Sequence, residues 1–144
     1  MINLDKFYIN SKFIEPQSST KKLEIINPSN EKIIGQVSLG NIDDVNYAVD
    51  SAKKAFRLSI NLTKQDKPEI LENFYQNYKK RFNDIADAIR LEMGAPLNLA
   101  KGAQTAVGLG HIKIAIKVLK EKEFEYRHNE FVVREEPIGV CGLI

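Results

Sequence analysis

The segment that most limits how this chain can fold is the apolar run at residues 138–144, Ile-Gly-Val-Cys-Gly-Leu-Ile, which follows Pro137. A run without a charged side chain is typical of a strand buried on both faces, as in a parallel sheet. Such a strand needs neighbouring strands and covering helices. No polar stop and no helix follows it, so we expect a chain cut short within a sheet. A short edge strand or a frayed apolar tail is the alternative.

Short β-type runs occupy the first forty residues. The runs 7–9 and 12–14 flank Asn10-Ser11, and the runs 21–26 and 32–38 flank Asn27-Pro28-Ser29-Asn30. Polar turns between such runs indicate β-hairpins, and a proline at the second turn position presets the backbone angle of a type I turn. We therefore expect antiparallel strands, with a polar connection over residues 15–22 between the two pairs.

Helical periodicity follows as far as residue 122. Asn41 is the expected N-cap of a helix over 42–58, because Asp43 and Asp44 would then occupy its first turn. Thr63 is the expected cap of a second helix and Asn83 of a third, which Gly94 and Pro96 should end. A fourth helix is predicted over 97–122, and strands are predicted over 124–126 and 131–134, separated by a turn at 127–130.

Composition excludes several classes of protein. The 144 residues carry 21 Lys and Arg against 19 Asp and Glu, and this net charge of +2 argues for neither nucleic acid nor a membrane surface as partner. The single cysteine excludes an intramolecular disulfide and a cysteine-based zinc site. No apolar run is long enough to cross a membrane. We expect a cytoplasmic protein in a reducing compartment.

The residues form no catalytic constellation. His111 and His128 are seventeen positions apart, too far for a metal-binding pair on one helix. Cys141 lies within the apolar run and is interpreted as a small buried hydrophobic residue rather than a nucleophile. Gly108-Leu-Gly110 lacks the third glycine of a dinucleotide-binding motif, because position 113 is lysine. Residue chemistry alone therefore indicates only a piece of an α/β protein.

Five stretches together resemble the N-terminal part of the aldehyde dehydrogenase superfamily. Each is a weak signal, but all five occur in the family's order, and the resemblance runs from about residue 7 to residue 144. They are YINSKFI at 8–14, INPSNEKIIGQV at 26–37, DDVNYAVDSAKKAF at 43–56, EMGAP at 92–96 and REEPIGVCGLI at 134–144.

The resemblance implies an α/β fold with N-terminal β-hairpins, a helical layer and the first strand of a Rossmann-like cofactor domain, truncated there. Residues 1–123 would form the N-terminal part of the cofactor-binding domain. Residues 124–136 would form an oligomerisation hairpin, and residues 137–144 the first strand of the Rossmann-like core.

The implied chemistry is oxidation of an aldehyde to a carboxylic acid with NAD or NADP, through a thiolate attack, hydride transfer and a water activated by glutamate. The catalytic Cys and Glu are expected beyond residue 144, so this chain should have no catalytic residue and no activity alone. Ile144 matches a residue lining the cofactor cleft. The backbone oxygen of Ile26 and the carboxylate of Glu92 match a monovalent-cation site, although many relatives have Asp in place of Glu92.

The resemblance implies a small aldehyde as substrate of the full-length parent, and a homo-oligomer as its assembly. Two other classes of function stay open. The chain could be a stand-alone binding or interaction module, or half of a split enzyme whose other chain carries the rest. It could also be an unrelated small α+β structural protein.

Overall fold

The computed structural model describes residues 2–18 and 21–144, and it has mixed α/β structure, as expected. Two β-hairpins come first along the chain, a layer of helices follows, and a third β-hairpin comes last. Their elements are β1 (Ile2–Leu4), β2 (Phe7–Ile9), β3 (Lys12–Ile14), β4 (Lys22–Asn27), β5 (Lys32–Ser38), α1 (Ile42–Ser59), α2 (Asp66–Lys80), α3 (Phe82–Met93), α4 (Leu97–Leu99), a π-helical turn (Ala100–Thr105), α5 (Ala106–Glu121), β6 (Glu125–His128) and β7 (Phe131–Arg134).

Both N-terminal hairpins are confirmed. Strands β2 and β3 pair antiparallel, and Asn10 and Ser11 both have positive φ, as a two-residue type I′ turn requires. Strands β4 and β5 also pair antiparallel. The structure adds β1, which pairs parallel with β5 to give the sheet order β1-β5-β4. Residues 19 and 20 of the predicted polar connection lie outside the described residues.

The start of α1 is confirmed and is fixed by a capping box. The side chain of Asn41 accepts from the backbone N–H of Asp43 at 2.8 Å and of Asp44 at 3.1 Å. The Asp44 carboxylate accepts in return from the Asn41 N–H at 3.0 Å. Its second oxygen accepts from the N–H of Gln17 at 2.8 Å, although Asp44 is only 4% exposed. One buried carboxylate therefore ties the segment before β4 to the first helix.

Neither the second nor the third helix begins at the predicted cap. Helix α2 begins at Asp66 after Gln65, so the prediction that Thr63 is its N-cap is wrong. Thr63 and Asp66 form reciprocal hydrogen bonds, and the bonds from Thr63 hold the pKa of the Asp66 carboxyl below its usual value. The prediction that Asn83 caps α3 is wrong, because Asn83 is already the second residue of that helix. Helix α3 begins directly after Arg81, which alone separates it from α2, and the Arg81 side chain pairs with Asp84.

The long helical segment is confirmed in extent and differs in its first part. Residues 100–105 form a π-helical turn between the short α4 and α5. The Tyr78 hydroxyl of α2 donates to the carbonyl oxygen of Thr105 at 3.1 Å, where the π turn meets α5. The Tyr78 ring lies against Gly108, so that α2 and α5 approach closely at this point.

Three alanines form a cluster of buried apolar residues. Ala86 and Ala100 are fully buried, Ala95 is 9% exposed, and Ile89 packs against these three. This cluster joins α3 to the segment that leads into α5. Most large apolar side chains of the described residues are at least partly exposed.

The third hairpin is held at its base by charged side chains. The ring of Phe124 lies 4.7 Å from the ammonium nitrogen of Lys67 and 5.8 Å from that of Lys122, and Lys122 pairs with Glu135 at 2.7 Å. Strand β6 begins at Glu125 and ends at His128, so it starts later and runs further than predicted. Within the hairpin, a hydrogen bond from Arg134 to Glu125 raises the pKa of the arginine.

The prediction that residues 138–144 are buried is wrong for the described chain. The run belongs to no strand, and the residues Ile138 and Leu143 are 97% exposed. Cys141 is likewise exposed rather than buried. The cause is that no described strand or helix covers either face of the run.

Among the described residues, no helix combines the length and the apolarity that crossing a bilayer demands.

Replacing Asp44 by alanine should destabilise the fold strongly. The change leaves the N–H groups of Gln17 and Asn41 without their acceptor, at a cost of about 2–3 kcal/mol in the free energy of unfolding. Urea denaturation followed by circular dichroism measures this loss. Asp43→Ala, at an exposed position of the same first turn, is the control and should cost less than about 1 kcal/mol. Equal losses would contradict the role given to Asp44.

Two glycines of α5 should respond to alanine in opposite directions. A Cβ at Gly108 would lie 2.7 Å from Cζ of Tyr78, so Gly108→Ala should destabilise by about 1–3 kcal/mol through overpacking. A Cβ at Gly110 meets no atom within 4 Å, so Gly110→Ala should stabilise by up to about 1 kcal/mol. Thermal unfolding of both variants checks the signs, and a shared sign would contradict the Tyr78 contact.

Candidate functional site at the Asn27 turn and the apolar run

The turn between β4 and β5 is locked by the side chain of Asn27, which is 6% exposed. The side-chain oxygen of Asn27 accepts from the N–H of Ser29 at 2.9 Å and from the Ser29 hydroxyl at 2.7 Å. Its backbone oxygen accepts from the N–H of Glu31 at 2.8 Å. Asparagine favours such local bonds, and the following Pro28 suits the turn. The turn is therefore a rigid feature.

The end of α3 packs against this turn. Gly94 follows the helix with φ of +69°, the left-handed conformation in which glycine is preferred. A Cβ at Gly94 would lie 3.0 Å from Cγ of Pro28 and 3.3 Å from the backbone nitrogen of Ser29. The close approach therefore brings together two of the five stretches of the resemblance, the one containing Asn27-Pro28 and the one containing Gly94-Ala95-Pro96.

The two expected cation ligands lie on these two packed elements. Ile26 immediately precedes the Asn27 turn, at the position where the β4–β5 register shifts. Glu92 lies in the last turn of α3, and its side chain is exposed. The structure thus brings their elements together, but records no contact between the two residues. Among the described residues, no group of three or more His, Cys, Asp and Glu side chains could hold a metal ion.

The expected cofactor residue, Ile144, lies at the exposed end of the apolar run. Gly139, in the same run, has φ of +139°, and the Cys141 sulfur lies 3.9 Å from its carbonyl oxygen. Four surface grooves of the described chain are lined by residues outside the run. Gly108 and Gly110 lie inside α5 rather than in a phosphate-binding loop. The assignment of Ile144 to the cofactor cleft therefore stays a prediction.

The other titratable side chains of the described residues lie on separate elements or in ion pairs. His111 on α5 and His128 at the end of β6 are both exposed and belong to separate elements. Glutamates near the hairpin pair with lysines instead, as in Lys64–Glu123 at 2.6 Å. Among the described residues, this arrangement places no nucleophile beside a base. The expectation that the chain carries no catalytic residue stays a prediction.

One groove was missed by reasoning from the sequence. It has a volume of about 390 Å³ and lies between α2 and α5, lined by Glu72, Tyr75, Lys113, Ile116, Lys117, Lys120 and Glu121. Lys113, Lys117 and Lys120 lie at helical spacing along one face, but nothing in the sequence shows that α2 lies beside that face. Its charged groups are exposed surface groups, and the groove shows no catalytic arrangement.

Comparison with known proteins identifies the fold. The model of the aldehyde dehydrogenase family matches residues 13–144. A Staphylococcus haemolyticus protein, provisionally named as an aldehyde dehydrogenase, is 37% identical over all 144 residues, which span 30% of its length. A 3-succinoylsemialdehyde-pyridine dehydrogenase from a Pseudomonas species is 39% identical over 140 residues, which are 96% of this chain and 29% of that protein.

Solved structures agree. The crystal structure of an aldehyde dehydrogenase from Bartonella henselae matches with a TM-score of 0.87 and 38% identity, over 90% of this chain and 27% of that one. A mutant of aldehyde dehydrogenase C from Pseudomonas syringae, solved with NAD+ and octanal, matches with a TM-score of 0.89 and 27% identity, over 93% of this chain and 27% of that one. The chain thus spans less than a third of these relatives, and it belongs to the aldehyde dehydrogenase family, as its N-terminal portion.

Proposed function

We propose that this chain is the N-terminal part of an oxidoreductase that converts an aldehyde to a carboxylic acid with NAD or NADP, and that it is inactive alone. The match to the Bartonella structure carries the proposal, since it covers 90% of this chain but only 27% of that enzyme. The proposal that the chain is inactive alone is supported by the exposed histidines and by the glutamates that pair with cations, because among the described residues these groups provide no nucleophile with a base. The catalytic Cys and Glu of the parent would lie beyond residue 144.

The relatives support an aldehyde substrate and a nicotinamide cofactor. The Pseudomonas syringae structure holds NAD+ and octanal, and the Pseudomonas relative is named for a semialdehyde. We assign to the full-length parent a small aldehyde and either NAD or NADP. When the run 138–144 is covered, Ile144 would face the cofactor as an apolar contact. The cofactor, when bound, would accept a hydride from the substrate.

The cation site stays a proposal on two residues. The backbone oxygen of Ile26 and the carboxylate of Glu92 are oxygen ligands of the kind a hard cation prefers. The packing of Gly94 against Pro28 supports the proposal, because it holds their two elements side by side.

The hairpin of β6 and β7 is the proposed oligomerisation element. Its strands pair only with each other among the described residues, and Tyr126, Phe131 and Val132 are 47%, 72% and 54% exposed. A free strand edge with apolar side chains suits the addition of a partner strand from another subunit. We place the protein in the cytoplasm, which suits a chain whose one thiol is not used in a disulfide.

The alternative is half of a split enzyme or a stand-alone interaction module. The exposure of residues 138–144 favours this reading, because an apolar run without a covering partner is an interaction surface. Both candidates predict an inactive chain, so they differ only in whether a separate polypeptide completes the fold.

Joining this chain to the missing part should produce activity. In a chimera, residues 1–144 replace the matched N-terminal portion of the Staphylococcus haemolyticus relative. We expect aldehyde-dependent formation of NAD(P)H from the chimera and none from the 144-residue chain.

Cys141→Ala should leave the activity of the chimera unchanged, whereas removal of the relative's own catalytic cysteine should abolish it. Turnover by the isolated chain that Cys141→Ala abolishes would contradict the proposal.

The reactivity of Cys141 should report the coverage of the apolar run. In the isolated chain its thiol is exposed and should react readily with an alkylating reagent. In the chimera the run would become a buried strand, and modification of Cys141 should be at least about tenfold slower. Mass spectrometry of the peptide containing Cys141 measures both rates. Equal rates would refute the assignment of residues 137–144 to the first strand of the core.

A further inference from the structure

Helix α5 has apolar side chains on two opposite faces. Ile116, 6% exposed, lies along the groove that α5 shares with α2. Val107, Ile114 and Val118 are 53%, 61% and 50% exposed. Their spacing of seven and four residues places them in one row, about half a turn from Ile116. We call this row the α5 stripe. A helix with apolar side chains on two opposite faces buries both only if a second partner covers the face that α2 leaves open.

The whole chain exposes far more surface than its size requires. Its accessible surface is 11309 Å² for a mass of 16.3 kDa. A compact monomer of that mass exposes about 7,500 Å². The excess of roughly 3,800 Å² greatly exceeds the roughly 800 Å² that each partner buries in an interface of standard size. A second copy docked through one such interface would therefore leave most of the excess uncovered.

The relatives show what could cover an area of this size. The same fold forms 27% of the Bartonella chain, with a TM-score of 0.87, so almost three-quarters of that protein lies outside the matched part. A body of that size can cover both an exposed helix face and an uncovered apolar run. The α5 stripe and residues 138–144 both belong to the matched residues 13–144.

We infer that the α5 stripe is a docking surface for the remaining, C-terminal part of the aldehyde dehydrogenase fold, and that this chain binds such a part when it is supplied as a separate polypeptide. The inference rests on the proposed function and adds to it a surface and a partner. Val107, Ile114 and Val118 become buried in the complex, while Lys113 and Lys117, on the neighbouring face of α5, stay in water.

The test is capture of the C-terminal part in trans. The tagged 144-residue chain is co-expressed with the portion of the Staphylococcus haemolyticus relative that follows its matched region, and the amount retained on the tag is measured. The stripe variant carries Ile114→Gln with Val118→Gln. The control variant carries Lys113→Gln with Lys117→Gln, the same two changes one residue earlier on the same helix. The control removes only an exposed ion pair of Lys117 with Glu121 at 4.0 Å.

We expect the unsubstituted chain and the control variant to retain the C-terminal part. The stripe variant should retain at least about tenfold less, because it leaves two polar side chains in an apolar interface. Circular dichroism of the isolated variants should show unchanged helix content, since all four positions are exposed. Equal retention by all three chains, or no retention by the unsubstituted chain, would overturn the inference.

Two further outcomes separate this inference from its alternatives. Sedimentation of the isolated chain could show a dimer that the stripe variant dissociates, and the stripe would then be a contact between copies, contrary to the inference. The active chimera with the stripe substitutions gives the second readout. If it melts at a lower temperature than the chimera with the two lysine substitutions, the α5 stripe is supported as a docking surface. An unchanged melting temperature in an active chimera refutes the docking surface and leaves the proposed function intact. A chimera that is inactive but destabilised in the same way would refute the function alone.

Discussion

The structure depends on the close approach of helices through small side chains. Ala86, Ala95 and Ala100 form the buried cluster between α3 and the segment leading to α5, and Gly108 lets the Tyr78 ring reach α5. Such contacts bury little area per residue, so few large apolar side chains are enclosed. The hydrophobic free energy of the described chain is correspondingly modest, because it grows with the apolar area removed from water. A large exposed surface follows from the same constraint.

Local chemistry predicted the parts of the fold that are held by local bonds. The Asn41 cap, the Asn10-Ser11 turn and the Gly94 stop each depend on residues within a few positions of one another, and all three are confirmed. The prediction for Asn83 failed because the single residue Arg81 separates α2 from α3. Arg81 therefore occupies the N-cap position of α3, and no side chain forms a capping hydrogen bond there. Strand β1 was missed because three residues give no clear alternation, and only its pairing with distant β5 defines it.

In the candidate site too, features that depend on nearby residues could be predicted from the sequence, whereas features that depend on distant elements could not. The resemblance assigned Ile26, Glu92 and Ile144 by motif, and the structure places the first two on elements that pack together. The burial of Cys141 and its neighbours could not be predicted correctly from the run alone, because burial is a property of what surrounds a segment. The α2–α5 groove was likewise invisible, since it needs two helices about forty residues apart to lie side by side.

The π-helical turn at Ala100–Thr105 has a consequence for the direction in which α5 faces. Each turn of a π-helix takes in about one residue more than an α-helical turn, and one residue corresponds to about 100° of rotation. The number of residues in this short segment therefore determines the direction, about the helix axis, in which each side chain of α5 points. A chain one residue shorter here would present Gly108, Ala115 and Leu119 where Val107, Ile114 and Val118 now lie. Among related chains, an insertion or deletion in this turn would therefore rotate all of α5 about its own axis. Different side chains would then face the neighbouring elements, although no residue of the helix had changed.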